Sequence, residues 1–228
     1  MKLIIGDELV EIDNLDDYYL DEGSEAVIYR YEDDSKDIDW ALKIYKDYSR
    51  KVRLDYETAL RLSQIKTNRI LLPNKIISSE SGEFLGYTTP FCSSYSIDNI
   101  SRMAVRDFID EVDLIYLDTK NLTDQSVSLD DINLMNMTYD GRIVLHDPGS
   151  YRFVMGENSR FLSSENFEMV NDFLLKKLIR RVSKLTREEI RNLDKYFYQA
   201  DGYVTDLMRC DIEETEDVKG FFKRITKR

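Results

Sequence analysis

The sequence predicts an α+β fold: a β-rich first part with one helix, then a mostly helical second part with a cleft between them. Two observations predict it. Up to Cys92, short runs rich in β-branched and aromatic residues alternate with Gly- and Asp-containing turns. Beyond Ser96, apolar residues recur at three- and four-residue spacing over long windows, interrupted by a single hairpin.

Taken in order, Lys2 to Ile12 holds two short apolar runs split by Gly6-Asp7. Tyr18 to Tyr31 is β-rich around Gly23, and Trp40 to Tyr45 is an apolar run with Lys43 inside it. The polar stretch Glu32 to Asp37 reads as the hairpin loop between them. Leu54 to Ile65 reads as a helix with a partial apolar face of Leu54, Ala59, Leu60 and Leu62. Ile70 to Ile77 and Glu83 to Phe91 read as two strands joined across Ser81-Gly82, with Pro73 confining the first to an edge or a late start. Ala104 to Leu117 carries Val105, Phe108, Ile109, Val112, Ile115 and Tyr116 at helical spacing. Asp140-Gly141, between the apolar runs 136–138 and 143–145, is a hairpin signal because the turn needs positive φ. Phe167 to Leu185 reads as another amphipathic helix, and Leu193 to Met208 as one more, interrupted near Gly202. A boundary near Ser93 to Ser96 divides residues 1–92 from 93–228, the two parts together forming one domain.

The 228 residues suffice for one large domain or two small lobes, and 42% hydrophobic with 33% charged residues is a folded composition. A formal net charge of −12 argues against coating nucleic acid, which needs clustered cations. The basic run Lys219 to Arg228 suits the C-terminal end of a helix. One histidine and two distant cysteines, Cys92 and Cys210, argue against a zinc site and against Ser-His or Cys-His catalysis. His146 reads as a packed residue. The run Met1 to Gly6 is too short for a signal peptide, and no stretch reaches membrane-spanning length. The expectation is a cytoplasmic protein (its own cell's or a host's) with no nucleic-acid or membrane partner.

Four elements could carry chemistry. Leu20 to Tyr29 places Gly23 in a strand-turn-strand, where backbone amides can approach a polyphosphate. Lys43 sits in the β run Ala41-Leu42-Lys43 and could meet phosphate oxygens as a point charge. Asp131-Ile132-Asn133-Leu134-Met135-Asn136 enters the Asp-Gly hairpin, and His146-Asp147-Pro148-Gly149 leaves it. The carboxylates of Asp131 and Asp147 and the amide of Asn136 could converge on one metal–phosphate site, and oxygen ligands of this kind suit Mg²⁺. Each element alone reads equally as a turn or a solvent-facing strand residue. Their order and spacing are what carry weight.

That order resembles the protein kinase superfamily, over about Leu20 to Tyr151. Leu20 to Tyr29 looks like the Gly-rich loop, Ala41-Leu42-Lys43 like Val-Ala-Ile-Lys, and Asp131 with Asn136 keeps the catalytic-loop spacing. Asp147-Pro148-Gly149 resembles Asp-Phe-Gly, and Glu57 stands where the family's helix glutamate pairs with the lysine. The resemblance implies a bilobal kinase-like fold using ATP and Mg²⁺. Lys43, oriented by Glu57, would hold the α/β-phosphates, and Asp131 would accept the hydroxyl proton. Asn136 and Asp147 would hold the metal. Gly23, Ser24, Val27 and Ala41 would line the nucleotide, with Thr89, Phe91 and Cys92 in the hinge segment against adenine.

The chain also departs from the family. Asp21 and Ala26 replace the outer loop glycines, which implies modest nucleotide affinity. Leu129-Asp130 replaces His-Arg, which removes the usual partner of a phosphorylated loop. Asn133 stands where many Ser/Thr kinases have lysine, Pro148 replaces Phe, and no Ala-Pro-Glu follows Gly149. The expected activity is γ-phosphate transfer to a hydroxyl on a protein or small molecule. The alternative is a pseudokinase that binds nucleotide or a partner without turnover. A third possibility is an interaction protein with accidental matches, which nucleotide-induced thermal stabilisation would exclude. The acidic stretch Asp211 to Asp217 reads as solvated surface, or as a surface that suits a cationic acceptor.

Overall fold

The structure is a computed structural model, and it describes residues 2–12, 14–33, 38–46, 54–93, 95–156, 159–200, 203–213 and 215–227. Residues 34–37, where a hairpin loop was expected, Gly202 and Glu214 therefore lie outside the described residues. The chain divides into two compact units. One comprises Met1–Thr67, Leu71–Cys92 and Asp147–Arg152; the other comprises Asn68–Ile70, Ser93–His146 and Phe153–Arg228.

The first unit is built on a seven-stranded antiparallel sheet. Its strands are β1 (Lys2–Ile5), β2 (Glu8–Glu11), β3 (Tyr19–Glu22), β4 (Ala26–Asp33), β5 (Ile38–Tyr45), β6 (Ile76–Ser78) and β7 (Phe84–Pro90), in spatial order β2-β1-β6-β7-β5-β4-β3. Gly6, at φ +64°, makes the turn between β1 and β2, a conformation that costs a glycine little. Residues alternate across each strand, so β5 has two characters. Leu42 is fully buried in a core with Leu3, Ile5, Ile12 and Ile77, and Trp40 and Ile44 pack against that core. Lys43 and Tyr45 point to the opposite face. There Tyr45 meets Phe84 and Tyr87 at ring separations of 6.0 and 6.1 Å. The helix α1 (Tyr56–Leu62) buries Ala59 and Leu62 and is capped by Asp55, whose carboxylate accepts from Thr58 N at 2.9 Å. Leu60, expected on its apolar face, is 37% exposed instead.

Gly86 on β7 lies opposite Ile44, and a Cβ there would stand 1.9 Å from the Lys43 carbonyl oxygen. That atom is backbone and cannot rotate away. Gly86→Ala is therefore expected to prise β5 from β7 and cost about 2–3 kcal/mol. Urea unfolding would measure it, and a loss under about 0.5 kcal/mol would show that the strands adjust freely.

The strand expected over Ile70 to Ile77 is shorter than its apolar run. Only Ile76–Ser78 is regular strand, and Ile70 makes an isolated parallel bridge to Leu145. The reason is a competing partner. The backbone N–H groups of Asn68, Arg69 and Ile70 donate to the Asp118 carboxylate at 2.6–3.0 Å, which ties this stretch to the second unit.

The second unit is organised around α2 (Val105–Asp124), which runs seven residues past the expected end at Leu117. Its last two turns bury polar residues. Asp118 is 1% exposed, Thr119 0% and Thr123 8%, so apolar periodicity stops while the helix continues. A short strand β8 (Val127–Ser128) leads to the hairpin β9 (Met137–Tyr139) and β10 (Ile143–Leu145), with Gly141 at φ +100° in its turn. Next come α3 (Ser159–Glu168), a π-helical stretch (Met169–Leu175) and α4 (Lys176–Ser183), a continuous helical run that begins eight residues before the expected start. The stretch expected over Leu193 to Met208 is two helices, α5 (Arg187–Tyr198) and α6 (Val204–Asp211). Last is α7 (Val218–Ile225), whose Phe221 and Phe222 are fully buried beside Phe108. Its basic last turn suits the helix terminus, and Arg224 pairs with both Glu213 and Glu216 of the acidic stretch. No helix among the described residues is long and apolar enough to cross a membrane.

Candidate active site

In the first unit, two residues singled out by sequence, Lys43 and Asp147, meet. The Lys43 side chain is 11% exposed, and its ammonium pairs with the Asp147 carboxylate. It also lies over the rings of Tyr45 and Tyr87, 5.7 and 5.8 Å from their centroids, a cation–π arrangement. Both tyrosines have acidities pushed above the ordinary phenol range. Burial is the main cause, and the fields of Asp147 and Glu25 add to it. They remain neutral phenols at any physiological pH.

Asp147 is delivered by an uncommon backbone. It has φ 64° and ψ 68°, the left-handed region, and its side chain accepts from Gly149 N at 3.3 Å. Pro148 then opens a single 3-10 turn that closes with Tyr151 N donating to Pro148 O at 3.0 Å. A non-glycine residue in this conformation is uncommon, although Asp is among the residues that tolerate it. Gly149 is needed for proximity. A Cβ added there would lie 3.1 Å from Asp147 Oδ1, 3.6 Å from Glu25 Oε2 and 3.8 Å from Lys43 Nζ.

The glycine-loop segment is a tight turn between β3 and β4. Gly23 N donates to Ala26 O at 2.9 Å, Lys46 N donates to Glu25 O at 2.8 Å, and the Lys46 ammonium binds both Glu22 and the Gly23 carbonyl. Gly23 and Ser24 are exposed and Val27 is half-buried. A Cβ at Gly23 would meet only Ala26 O, at 3.9 Å, so the fold itself does not require a glycine there. In the hinge segment, Ala41 pairs with Thr89 across the sheet, and Thr89, Phe91 and Cys92 are half-buried. Phe91 N already donates to Asp39 O at 2.9 Å, and the Phe91 ring lies 4.7 Å beneath the Arg30 guanidinium.

Glu57 does not join this group. It is exposed on the first turn of α1, and the carboxylate that pairs with Lys43 is Asp147. Glu25, one of the acidic residues of the turn, is the carboxylate that sequence reasoning missed. It carried no periodic or motif signal, and only folding brings the turn beside Gly149.

In the second unit, Asp131 is exposed and also left-handed, at φ 59°. Two amides hold it. Asn133 Nδ2 donates to its Oδ1 at 2.6 Å, and Asn136 Nδ2 donates to its backbone carbonyl at 3.0 Å and to its Oδ2 at 3.3 Å. Asn136 spends its amide nitrogen on Asp131, which leaves its side-chain oxygen as the end suited to a hard cation. The Asn136 carbonyl accepts from His146 N at 2.8 Å, tying the Asp131 loop to the residue before Asp147. A second support is Asn166 on α3, 1% exposed. It accepts from Leu129 N at 2.9 Å and donates to Val127 O and Thr123 Oγ1 at 2.9 and 2.8 Å. The loop that presents Asp131 is thus pinned just upstream by a fully used buried amide.

The sequence matches no family profile and no curated protein. Among solved structures, the chain is similar to the autoinhibited serine kinase domain of the giant muscle protein titin. The TM-score is 0.56 at 14% identity, covering 99% of this chain and 74% of that one. The chain has a protein kinase-like fold, with a β-rich N-lobe and a helical C-lobe.

Proposed function

We propose that this kinase-like fold carries an ATP- and Mg²⁺-dependent phosphotransferase, which moves the γ-phosphate to a hydroxyl on a protein or small molecule. The observation that carries the reading is the Lys43–Asp147 ion pair in a chain with a kinase-like fold. A buried lysine next to an aspartate on a strained turn is a costly arrangement. It is well suited to a polyphosphate, which supplies Lys43 with new partners, together with a cation that engages the carboxylate.

In this reading Lys43 binds phosphate oxygens as a point charge. By the family resemblance Asp147 and the Asn136 side-chain oxygen would hold Mg²⁺, and the oxygen donors and partial exposure of Asp147 (38%) fit that role. The bound metal supplies charge neutralisation on the transferring phosphoryl group. Asp131, oriented by Asn133 and Asn136, accepts the proton of the attacking hydroxyl. The turn 22–26 covers the phosphates through backbone amides, and the β7 hinge segment faces adenine. Neither cysteine is in a disulfide, which agrees with a reducing cytoplasm.

A second reading, nucleotide binding without turnover, is favoured by one observation: Glu57 is exposed, and the carboxylate paired with Lys43 is Asp147. Incubation with γ-labelled ATP and Mg²⁺, with an EDTA control, separates the two. Metal-dependent release or transfer of label supports the enzyme. No transfer but nucleotide-dependent thermal stabilisation supports the binding module, and neither effect removes the nucleotide site altogether.

A further inference from the structure

Lys43 pairs with Asp147, and a second carboxylate that is not the helix glutamate, Glu25, stands near the same point. Asp147 Oδ1, Glu25 Oε2 and Lys43 Nζ all lie within 3.8 Å of the point a Gly149 Cβ would occupy. Glu25 is half-buried, while Glu57 is exposed. The turn that carries Glu25 is stitched to β5 at both levels. Its backbone carbonyl accepts from Lys46 N, and the Lys46 side chain ties down Glu22 and Gly23 O. Lys46 is three residues after Lys43 on the same stretch of chain, so Glu25 and Lys43 share one rigid frame. The proximity is therefore built in, and does not depend on a long side chain wandering in solvent.

We propose that Glu25 is the positioning residue for Lys43, taking the part that the family resemblance gives to Glu57. The inference rests on the phosphotransferase reading for its catalytic meaning, but the pairing itself does not. One ammonium between two carboxylates leaves an excess negative charge. Were Asp147 engaged by a divalent cation, Glu25 would remain as the carboxylate available to Lys43. Lys43 would then stay directed at the phosphates. A glutamate in a phosphate-covering turn would otherwise only repel nucleotide. In this proposal the nearby ammonium of Lys43 offsets that charge.

The pairing can be tested without nucleotide. In an Asp147→Asn background, Lys43 depends on Glu25 alone, and its rate of acylation by an N-hydroxysuccinimide ester at pH 8 reads how well its ammonium is held. Mass spectrometry assigns the modified site. Adding Glu25→Gln is expected to speed acylation of Lys43 at least fivefold, with the fold checked by circular dichroism; equal rates would overturn the proposal. The catalytic arm compares single variants with Mg²⁺ and ATP. Glu25→Gln is expected to lower kcat about tenfold or more with KM changed less than threefold, because a misdirected lysine weakens the transition state more than the ground state. Glu25→Asp should recover part of the loss. A larger loss from Glu57→Gln than from Glu25→Gln, or no recovery by Glu25→Asp, would also overturn it. If the wild type neither binds nor turns over nucleotide, the phosphotransferase reading fails, while the acylation arm still decides whether Glu25 holds Lys43.

Discussion

Asp147→Ala is expected to lower phosphate transfer by about a thousandfold or more, the scale typical of removing a charge-stabilising group from a phosphoryl-transfer site. Two losses combine. The metal loses its only anionic ligand among the proposed pair, and Lys43 loses the partner it holds before nucleotide arrives. The diagnostic is the metal dependence of binding. Calorimetry with ADP should show that Mg²⁺ strengthens binding to the wild type and has little effect on the variant. Metal-free ADP should bind the variant as well or better, since a carboxylate near the phosphates has gone. A variant whose ADP affinity still rises with Mg²⁺ as in the wild type would remove Asp147 from the metal site.

Asp118→Ala is expected to destabilise the protein by about 3–5 kcal/mol, the upper end for a single substitution. Asp118 is 1% exposed and accepts from Asn68 N and Nδ2, Arg69 N and Ile70 N. Alanine leaves these donors without an acceptor in a place water does not reach. Beside them, Arg69 makes a two-point contact with Glu111 at 2.5 and 2.7 Å, and Glu111 also accepts from Ile143 N at 2.9 Å. The damage would thus reach the hairpin that leads to His146. Asp118→Asn keeps one acceptor oxygen and should cost clearly less. Urea unfolding with unchanged m-values would measure both, and a loss under 1 kcal/mol for Asp118→Ala would mean that water replaces the carboxylate.

The sequence announces an element well where one physical signal dominates. Gly6 and Asp140-Gly141 mark turns because few residues accept positive φ, and both turns are present. The buried positions of α2 from Val105 to Tyr116 follow the apolar repeat. The α+β class could be read from such signals, and the kinase-like fold from the order and spacing of motifs that resemble the protein kinase superfamily. What could not be read is where polar side chains turn inward. The C-terminal half of α2 looked like the end of a helix because Asp118, Thr119 and Thr123 interrupt the repeat, yet these are buried because they serve backbone donors elsewhere. The same blind spot hid Asn166 and cut short the strand expected from Ile70. At the candidate site, Lys43 and Asp147 are distant in sequence and meet in the structure. The partner suggested for Lys43 by position in the sequence, Glu57, lies out in solvent, while Glu25 is close. A motif specifies which residue types are present; which carboxylate reaches the lysine depends on how a turn is fastened, and Lys46 does that fastening.

The first compact unit closes with residues 147–152, although most of it is made of residues before 93. On a ribosome, Lys43 emerges 104 residues before its partner Asp147. At typical synthesis rates that gap lasts roughly 5–20 s. Once β7 has followed, the nascent sheet holds a lysine against Tyr45 and Tyr87 with no aspartate to meet it. Glu25, synthesised before Lys43, is the one nearby carboxylate of the trio already present. A nascent chain stalled before residue 147 should therefore display a partly formed sheet whose protease resistance drops when Glu25 is neutralised, and should gain the remainder of its protection only once the Asp-Pro-Gly turn has left the exit tunnel.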